Sequence, residues 1–437
     1  MLTESELQTI RIAEALQHVG SEVRLEGWLY NRRSSGRILF LQIRDGSGVI
    51  QGILTQPESP ALFALADELP HETSIVVCGL LREDRRATGG CELQISGIQV
   101  IQQPTEPFPI ELKEHTPGFL MDHRHLWIRT GRQVPILRIR DAVFRSFRTF
   151  FHERGFVATE APILTGTSVE GTTTLFEVDY FGEKAYLGQS GQLYLEATAM
   201  ALGKVYWIGP AFRAEKSKTR KHITEFWIAE AEMAYVDHIG NLRLQEELVA
   251  AIVEAVIAER GNELEQLGRD TEALKDAVRL PFPRVDYADA IVLLRDAGHE
   301  IGFGDDFGAP HEATLGERFG QPVFVERLPA VMKPFYMKRD PEDAARVLSA
   351  DLIAPEGYGE IIGGSQRVDT LEELAAQLDE HHLPHDAYQW YLDLRRYGSV
   401  PHSGFGMGME RVIAWICGVQ HIRETIPFAR QLNRLYP

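Results

Sequence analysis

Between Gly209 and Phe226 the chain runs Gly-Pro-Ala-Phe-Arg213-Ala-Glu215, passes through a basic loop, and returns as His222-Ile-Thr-Glu225-Phe226. Arg213 and Glu215 are two residues apart, so on an extended strand both side chains point to one face. That face offers a cation to a phosphate and a carboxylate to an amino group. The loop adds Lys216, Lys218, Arg220, Lys221 and His222, and Phe226 supplies a flat surface for a base. Such a strand–loop–strand hairpin could hold ATP without a glycine-rich loop, although an exposed basic hairpin on a sheet edge would read the same way. Near the other end, Gly404-Phe-Gly406-Met-Gly408-Met-Glu410-Arg411 runs three glycines into an apolar helix. Glycine lets backbone pass close under a ligand, and Arg411 can stack on a base or reach a phosphate.

Together the two segments resemble motifs 2 and 3 of the class II aminoacyl-tRNA synthetases. Phe-Arg-x-Glu, its His-x-x-Glu-Phe return and Gly-x-Gly-x-Glu-Arg occur in that family's order. The resemblance implies that Arg213 and Arg411 are catalytic and that ATP is the nucleotide. His222 or Arg220, with Arg411, would hold its β- and γ-phosphates, Phe226 and Arg411 would sandwich its adenine, Glu215 would approach the adenine amino group, and Lys221 joins the same ATP site. Gly408 and Glu360 complete the implied nucleotide site.

The elements that must position these groups can be traced along the 437 residues, a length that suits two domains. Charged and apolar fractions are those of a globular chain. A formal charge of −18 argues against a wholesale nucleic-acid coat but says little about local basic patches. Cys78, Cys91 and Cys417 have neither metal spacing nor a disulfide framework, which fits a reducing cytoplasm. No run is apolar enough to span a membrane, and the N-terminus has no signal-peptide pattern.

Residues 21–102 alternate apolar and polar positions in short runs such as Glu22-Val-Arg-Leu-Glu-Gly-Trp-Leu and Arg37-Ile-Leu-Phe-Leu-Gln-Ile-Arg. About five strands in this space predict a small OB-type barrel over residues 1–102. The proline-bearing stretch 103–120 reads as a linker, and 121–437 as an α+β domain in which an antiparallel sheet is flanked by helices. Val134 to Arg154 predicts an amphipathic helix with an aromatic stripe, ended by Gly155 and followed by a short strand reaching Pro162. This helix and strand resemble motif 1, which implies a homodimer.

The whole chain resembles the aspartyl/asparaginyl branch of class II. Within the barrel, Phe40-Leu-Gln-Ile-Arg44-Asp45-Gly46 and Gln51 match that branch's anticodon pattern. An aromatic can stack on an unpaired base while an amide reads its edge; the match implies that Phe40 and Gln51 contact the central U of the anticodon, with Arg32 a further anticodon candidate. In the catalytic domain, Asp351 and Glu360 are hard oxygen donors that, by resemblance, hold Mg²⁺. Arg367 matches the arginine that grips the side-chain oxygen of the amino acid. Thr167 to Thr172 looks like a loop closing over the amino acid, with Glu170 on its ammonium group. Ser190, Gln192 and Glu230 complete the implied amino-acid site.

The segment Ser190-Gly-Gln192-Leu-Tyr-Leu195-Glu196 departs from the aspartyl pattern. Aspartyl members carry a lysine at the position of Leu195, where it holds the substrate carboxylate. Leucine there, with Glu196 adjacent to accept from an NH₂, points to asparagine and to tRNA(Asn) as the partner. The alternatives are a non-discriminating aspartyl member, a relative that makes free asparagine, and a non-catalytic OB-type nucleic-acid binder. The intact barrel argues against the second, and retention of Arg213, Glu215, Glu360 and Arg411 against the third.

Overall fold

The computed structural model describes residues 7–87, 89–111, 113–169, 175–217 and 219–437. Two compact units divide the chain, Met1–Leu120 and Met121–Pro437. In the first, β1 (Glu22–Ser35), β2 (Ile38–Arg44), β3 (Val49–Thr55), β4 (Ser74–Glu83) and β5 (Cys91–Gln102) form one sheet, with the helix α1 (Pro60–Glu68) between β3 and β4. Pairing runs β1–β2–β3–β5–β4 and returns from β4 to β1, so the sheet closes on itself. Closure removes exposed edges. Leu39, Leu41 and Ile43 of β2 point inward to join Leu25, Ile50, Val77 and Leu93 in the barrel core. The period of two then forces Phe40 and Gln42 outward. This is the OB barrel expected from the alternation.

The second unit is built on an eight-stranded sheet among the described residues. Its strands are β6 (Val157–Ala158), β7 (Lys204–Phe212), β8 (Glu225–Ala234), β9 (Arg284–Asp286), β10 (Val323–Glu326), β11 (Ser349–Ala354), β12 (Gly359–Gln366) and β13 (His402–Gly408). Their spatial order is β9–β10–β11–β12–β13–β8–β7–β6. The central six run antiparallel, and only the two edge pairs are parallel. The helices that position the site are α2 (Gln133–Glu153), α3 (Gln192–Leu202), α4 (His238–Gln266), α5 (Ala309–Phe319), α6 (Leu371–Glu380), α7 (Gln389–Arg396) and α8 (Met409–Cys417).

Helix α2 forms where the apolar period predicted it, and Gly155, at φ 74°, follows its end as expected of a left-handed terminator. Its aromatic stripe is not left open. Phe147, Phe150 and Phe151 are buried, and Phe151 stacks on Tyr206 of β7 at 5.3 Å between centroids. Each such side chain contributes roughly 1.5–3 kcal/mol by leaving water. Arg140, on the same helix, donates to Glu410 at 2.7 Å and to the Thr425 carbonyl at 2.9 Å. Glu410 also accepts from the Trp227 amide at 2.9 Å, so a buried ion pair fixes the start of α8 against β8. No helix among the described residues is long and apolar enough to cross a membrane.

Candidate active site

Strands β7 and β8 pair in register from Lys204↔Met233 to Phe212↔Glu225. Regular pairing stops at Phe212, so Arg213 and Glu215 lie on irregular backbone rather than on a strand, contrary to expectation. The Arg213 amide still donates to the Thr224 carbonyl at 3.0 Å, which holds the neck of the loop closed. Both side chains face a cleft of about 120 Å³ that Lys221, His222, Phe226 and Arg411 also line. Gly408, the residue before α8, lies in the same wall. Arg213 sits over the Phe226 ring at 5.4 Å, leaving an aromatic and cationic surface for a nucleotide.

The basic loop divides its work. Lys221 pairs with Glu312 of α5 at 3.0 Å. Burial, followed by the charge of Arg411, lowers the His222 pKa against the opposing pull of Glu215. At neutral pH this imidazole is therefore a neutral hydrogen-bonding group rather than a cation. Arg220 is not brought into the cleft: it is exposed and donates to Gln420 at 3.1 Å. Lys218 and Glu170 lie outside the described residues.

A larger cavity of about 580 Å³ adjoins this cleft, and Arg213, Ile228, Glu360, Gly363 and Gly406 line both. On one wall are Ser190, Gln192 and Glu230. Glu230 accepts from the Gly191 amide at 2.7 Å and from the Ser190 hydroxyl in a short bond. Arg367 is part of the lining as well, and it is buried. Its guanidinium donates to Ser365 at 2.7 Å and pairs closely with Glu232, a buried carboxylate on β8. Burial opposes the charge on Arg367, but Glu232 and Glu196 more than reverse this and raise its pKa. Burial in turn pushes the Glu232 carboxyl up to about 7, with Arg367 opposing and Glu196 reinforcing.

Glu232 was not among the residues singled out from sequence. The signal was present: Glu230 and Glu232 are two apart on β8 and so share a face. Glu196, by contrast, is corrected. It is fully buried, accepts from Arg395, Tyr391, His402 and Gln192, and has no oxygen left for a substrate amide. Leu195 is also fully buried, in an apolar cluster with Val205, Trp207 and Ile228. Neither side chain belongs to the described cavity lining.

Asp351 and Glu360 do come together. Asp351 opposes Gly363 across β11 and β12, whereas Ile353 opposes Glu360, with the register shift between Leu352 and Ile353. The extra residue, Ile361, forms a bulge that turns Glu360 onto the Asp351 face. A Cβ on Gly363 would lie 2.8 Å from Glu360 Oε1 and 3.7 Å from Asp351 Oδ1, so both carboxylates flank that glycine. Lys333, unforeseen from sequence, pairs with Asp351 at 2.7 Å. Burial, opposed by Lys333 and reinforced by Glu360, pushes Asp351 up to about 6. Among the described residues no group of three or more potential ligands forms a cage. Both carboxylates line the larger cavity and Glu360 also the cleft, an arrangement that fits Mg²⁺, which usually takes one or two carboxylates and completes its shell with other oxygens and water. Arg411 donates to the Glu360 carbonyl at 2.7 Å, tying α8 to the same point.

In the barrel, Phe40 is half-buried on the outer face with the Arg33 guanidinium 4.4 Å over its ring. Arg33 also donates to Gln51 at 3.5 Å, so Phe40, Gln51 and Arg33 form one outward patch. Arg32 is not part of it. Its guanidinium donates to the carbonyls of Ala66 and Leu69 at 3.0 and 3.1 Å, at the C-terminal end of α1.

The chain belongs to the class II aminoacyl-tRNA synthetases: the family model described as "tRNA synthetases class II (D, K and N)" matches residues 117–432. A second model, the OB-fold nucleic acid binding domain, matches residues 23–101. The chain is 56% identical over 421 residues to the asparagine–tRNA ligase of Desulforamulus reducens, covering 96% of this chain and 98% of that one. It is 55% identical over 434 residues to the asparagine–tRNA ligase of Thermus thermophilus, covering 98% and 99%. Among solved structures, it is similar to the asparaginyl-tRNA synthetase of Pyrococcus horikoshii complexed with asparaginyl-adenylate. That likeness has a TM-score of 0.92 at 42% identity, over 98% of this chain and 99% of that one.

Proposed function

We propose that the chain activates asparagine with ATP and transfers it to tRNA(Asn). The observation that carries this is a cavity lined by Arg367, backed by Glu232, that opens through Arg213 and Glu360 into the nucleotide cleft. Arg367 donates to a side-chain carbonyl, and its charge is already balanced by Glu232. A second carboxylate, as in aspartate, gains little there. Discrimination between ligands of equal size must come from such polar matching.

Arg213, at the junction, meets the α-phosphate while the asparagine carboxylate attacks it in line and pyrophosphate leaves. Lys221 and Arg411 take the outer phosphates, and Phe226 stacks on the adenine. Positioning and charge do the catalysis, with no protein nucleophile. Asp351 and Glu360 would hold Mg²⁺, which when bound supplies positive charge against the phosphates. The acyl group then passes to the 3′-terminal adenosine of the tRNA, whose anticodon is read at the Phe40–Gln51 face. Asparagine-dependent ATP–pyrophosphate exchange and charging of tRNA(Asn), with aspartate inactive, is the expected result. Equal use of aspartate would replace this reading with the non-discriminating aspartyl one.

The working form is a cytoplasmic homodimer. With the aromatic stripe of α2 buried inside the protomer, support for the dimer shifts to the sheet edge. There β6 ends the sheet with Val157 exposed, and Ile163 and Leu164 are exposed just beyond. An uncovered edge strand with exposed apolar residues is a natural pairing site. Light scattering should give twice the chain mass at micromolar concentration, and a fully active monomer would refute the dimer.

A further inference from the structure

Behind the Gln192 wall lies a sealed polar cluster that the activation chemistry does not touch. The side chains of Glu196, Arg395 and His402 are all fully buried. Glu196 accepts from Arg395 at 2.6 Å, from the Tyr391 hydroxyl at 2.7 Å, from His402 Nε2 at 3.0 Å and from the Gln192 amide at 3.1 Å.

Elementary donor and acceptor chemistry settles the orientation of Gln192. A carboxylate can only accept, so the part of Gln192 facing Glu196 is its NH₂ group. The Gln192 carbonyl oxygen is then the atom left for the cavity that this residue lines. For His402, Nδ1 faces the Val400 carbonyl at 2.7 Å while Nε2 faces Glu196. The Arg395 guanidinium also lies 3.4 Å from the same Nε2, so His402 closes the cluster between Glu196 and Arg395. The charged or titratable groups around the cluster are Glu196 on α3, Tyr391 and Arg395 on α7, Glu232 on β8, and Arg367. Burial would push Glu196 up, yet Arg395, then His402 and Arg367, hold it below the usual carboxylate range.

We propose that Glu196, clamped by Arg395, Tyr391 and His402, is a positioning residue that locks the Gln192 carbonyl toward the cavity as an acceptor for the α-ammonium group of the amino acid. The ammonium end is the partner because Gln192 shares its wall with Ser190 and the carboxylate of Glu230. The side-chain end of the substrate belongs with Arg367 and Glu232. An amide free to rotate would present NH₂ to an ammonium group half of the time, so the buried carboxylate replaces an entropy cost with a fixed acceptor. This rests on the asparagine-activating reading above and assigns a function to one of its walls.

The test uses two ligands in the ATP–pyrophosphate exchange assay of the full chain. One is asparagine. The other is succinamate, asparagine without its α-amino group, measured as a competitive inhibitor. In Glu196→Gln the clamp can no longer dictate which face of Gln192 turns inward. The KM for asparagine should rise about tenfold or more, the size of one lost hydrogen bond to a charged group. The inhibition constant of succinamate and the KM for ATP should stay unchanged, and kcat should fall much less than KM rises. Tyr391→Phe removes one donor while leaving every charge in place, and should give a smaller rise confined to asparagine. That variant carries the test if Glu196→Gln fails to fold. Equal weakening of both ligands in the folded variants would overturn the proposal and place Gln192 on the side-chain amide instead. An unchanged KM for asparagine in Tyr391→Phe and Glu196→Gln would overturn it too. Wild type without any asparagine-dependent exchange would remove the functional reading itself, a failure visible before any variant is made.

Discussion

At the scale of single residues, the nucleotide side was the more legible from sequence, because its chemistry sits in contiguous motifs. Arg213, Glu215, Lys221, His222, Phe226 and Arg411 all face one cleft. Arg220 did not follow, since a loop's side-chain directions are set by local contacts such as Gln420 and not by a period. On the amino-acid side, adjacency misled. Glu196 follows Leu195 in sequence, but a helix turns successive side chains about 100° apart, and both ended buried. Arg213→Ala should fold normally yet lose adenylate formation by roughly two to three orders of magnitude, the usual loss for a transition-state donor. Unfolding of that variant, seen by circular dichroism, would instead make Arg213 a structural residue. A second expectation concerns Glu232, whose carboxyl is raised from 4.5 to about 7. Its folded form holds a proton more tightly than the unfolded chain, so this group's contribution to stability is present below about 4.5 and lost as pH rises through 7. Protonation below 7 also leaves Arg367 without its counter-charge, which favours a ligand bearing an extra carboxylate. The ratio of aspartate to asparagine activation should therefore increase as pH falls from 8 to 6, and a flat ratio would show that Glu232 does not govern the choice.

At the scale of elements, alternation and helical period located the barrel strands and α2 well, because each has one wet and one dry face. They could not reveal the bulge at Ile361, since one extra residue in an apolar run leaves no mark on composition. Nor did they give Lys333, which lies in an irregular segment with no period to read. Yet that bulge is what puts Glu360 beside Asp351. Gly363 lies directly under the pair, and its missing side chain keeps both carboxylates in place. In Gly363→Ala the added methyl meets the mobile end of Glu360 rather than backbone, so the fold should hold, with a melting temperature within about 4 °C of wild type. Displaced carboxylates should raise the KM for ATP and the Mg²⁺ concentration needed for half-maximal exchange. Unaltered Mg²⁺ dependence in a folded Gly363→Ala protein would separate this glycine, and the bulge beside it, from metal binding.

At the scale of the whole molecule, the chain divides into two compact units, and the proposed function assigns a different kind of recognition to each. Among the described residues, those that line the cleft and the adjoining cavity all belong to the second unit. Adenylate formation, which needs only ATP and the amino acid, should therefore be indifferent to changes on the outer barrel face. Charging of tRNA should not be. Phe40 is held outward because Leu39 and Leu41 on either side of it fill the barrel core, and Arg33 covers its ring from β1. A ring so placed can give up its guanidinium cover for an unpaired base, with Gln51 beside it to read the base edge. Loss of one stacked base costs roughly 1–3 kcal/mol. Phe40→Ala should thus weaken tRNA(Asn) charging by about fivefold to a hundredfold, mainly through the KM for tRNA. The core beneath it is intact without the ring, so thermal stability and asparagine-dependent pyrophosphate exchange should match wild type. Parallel loss of exchange and charging in a folded Phe40→Ala protein would mean that the ring supports the barrel and reads no base.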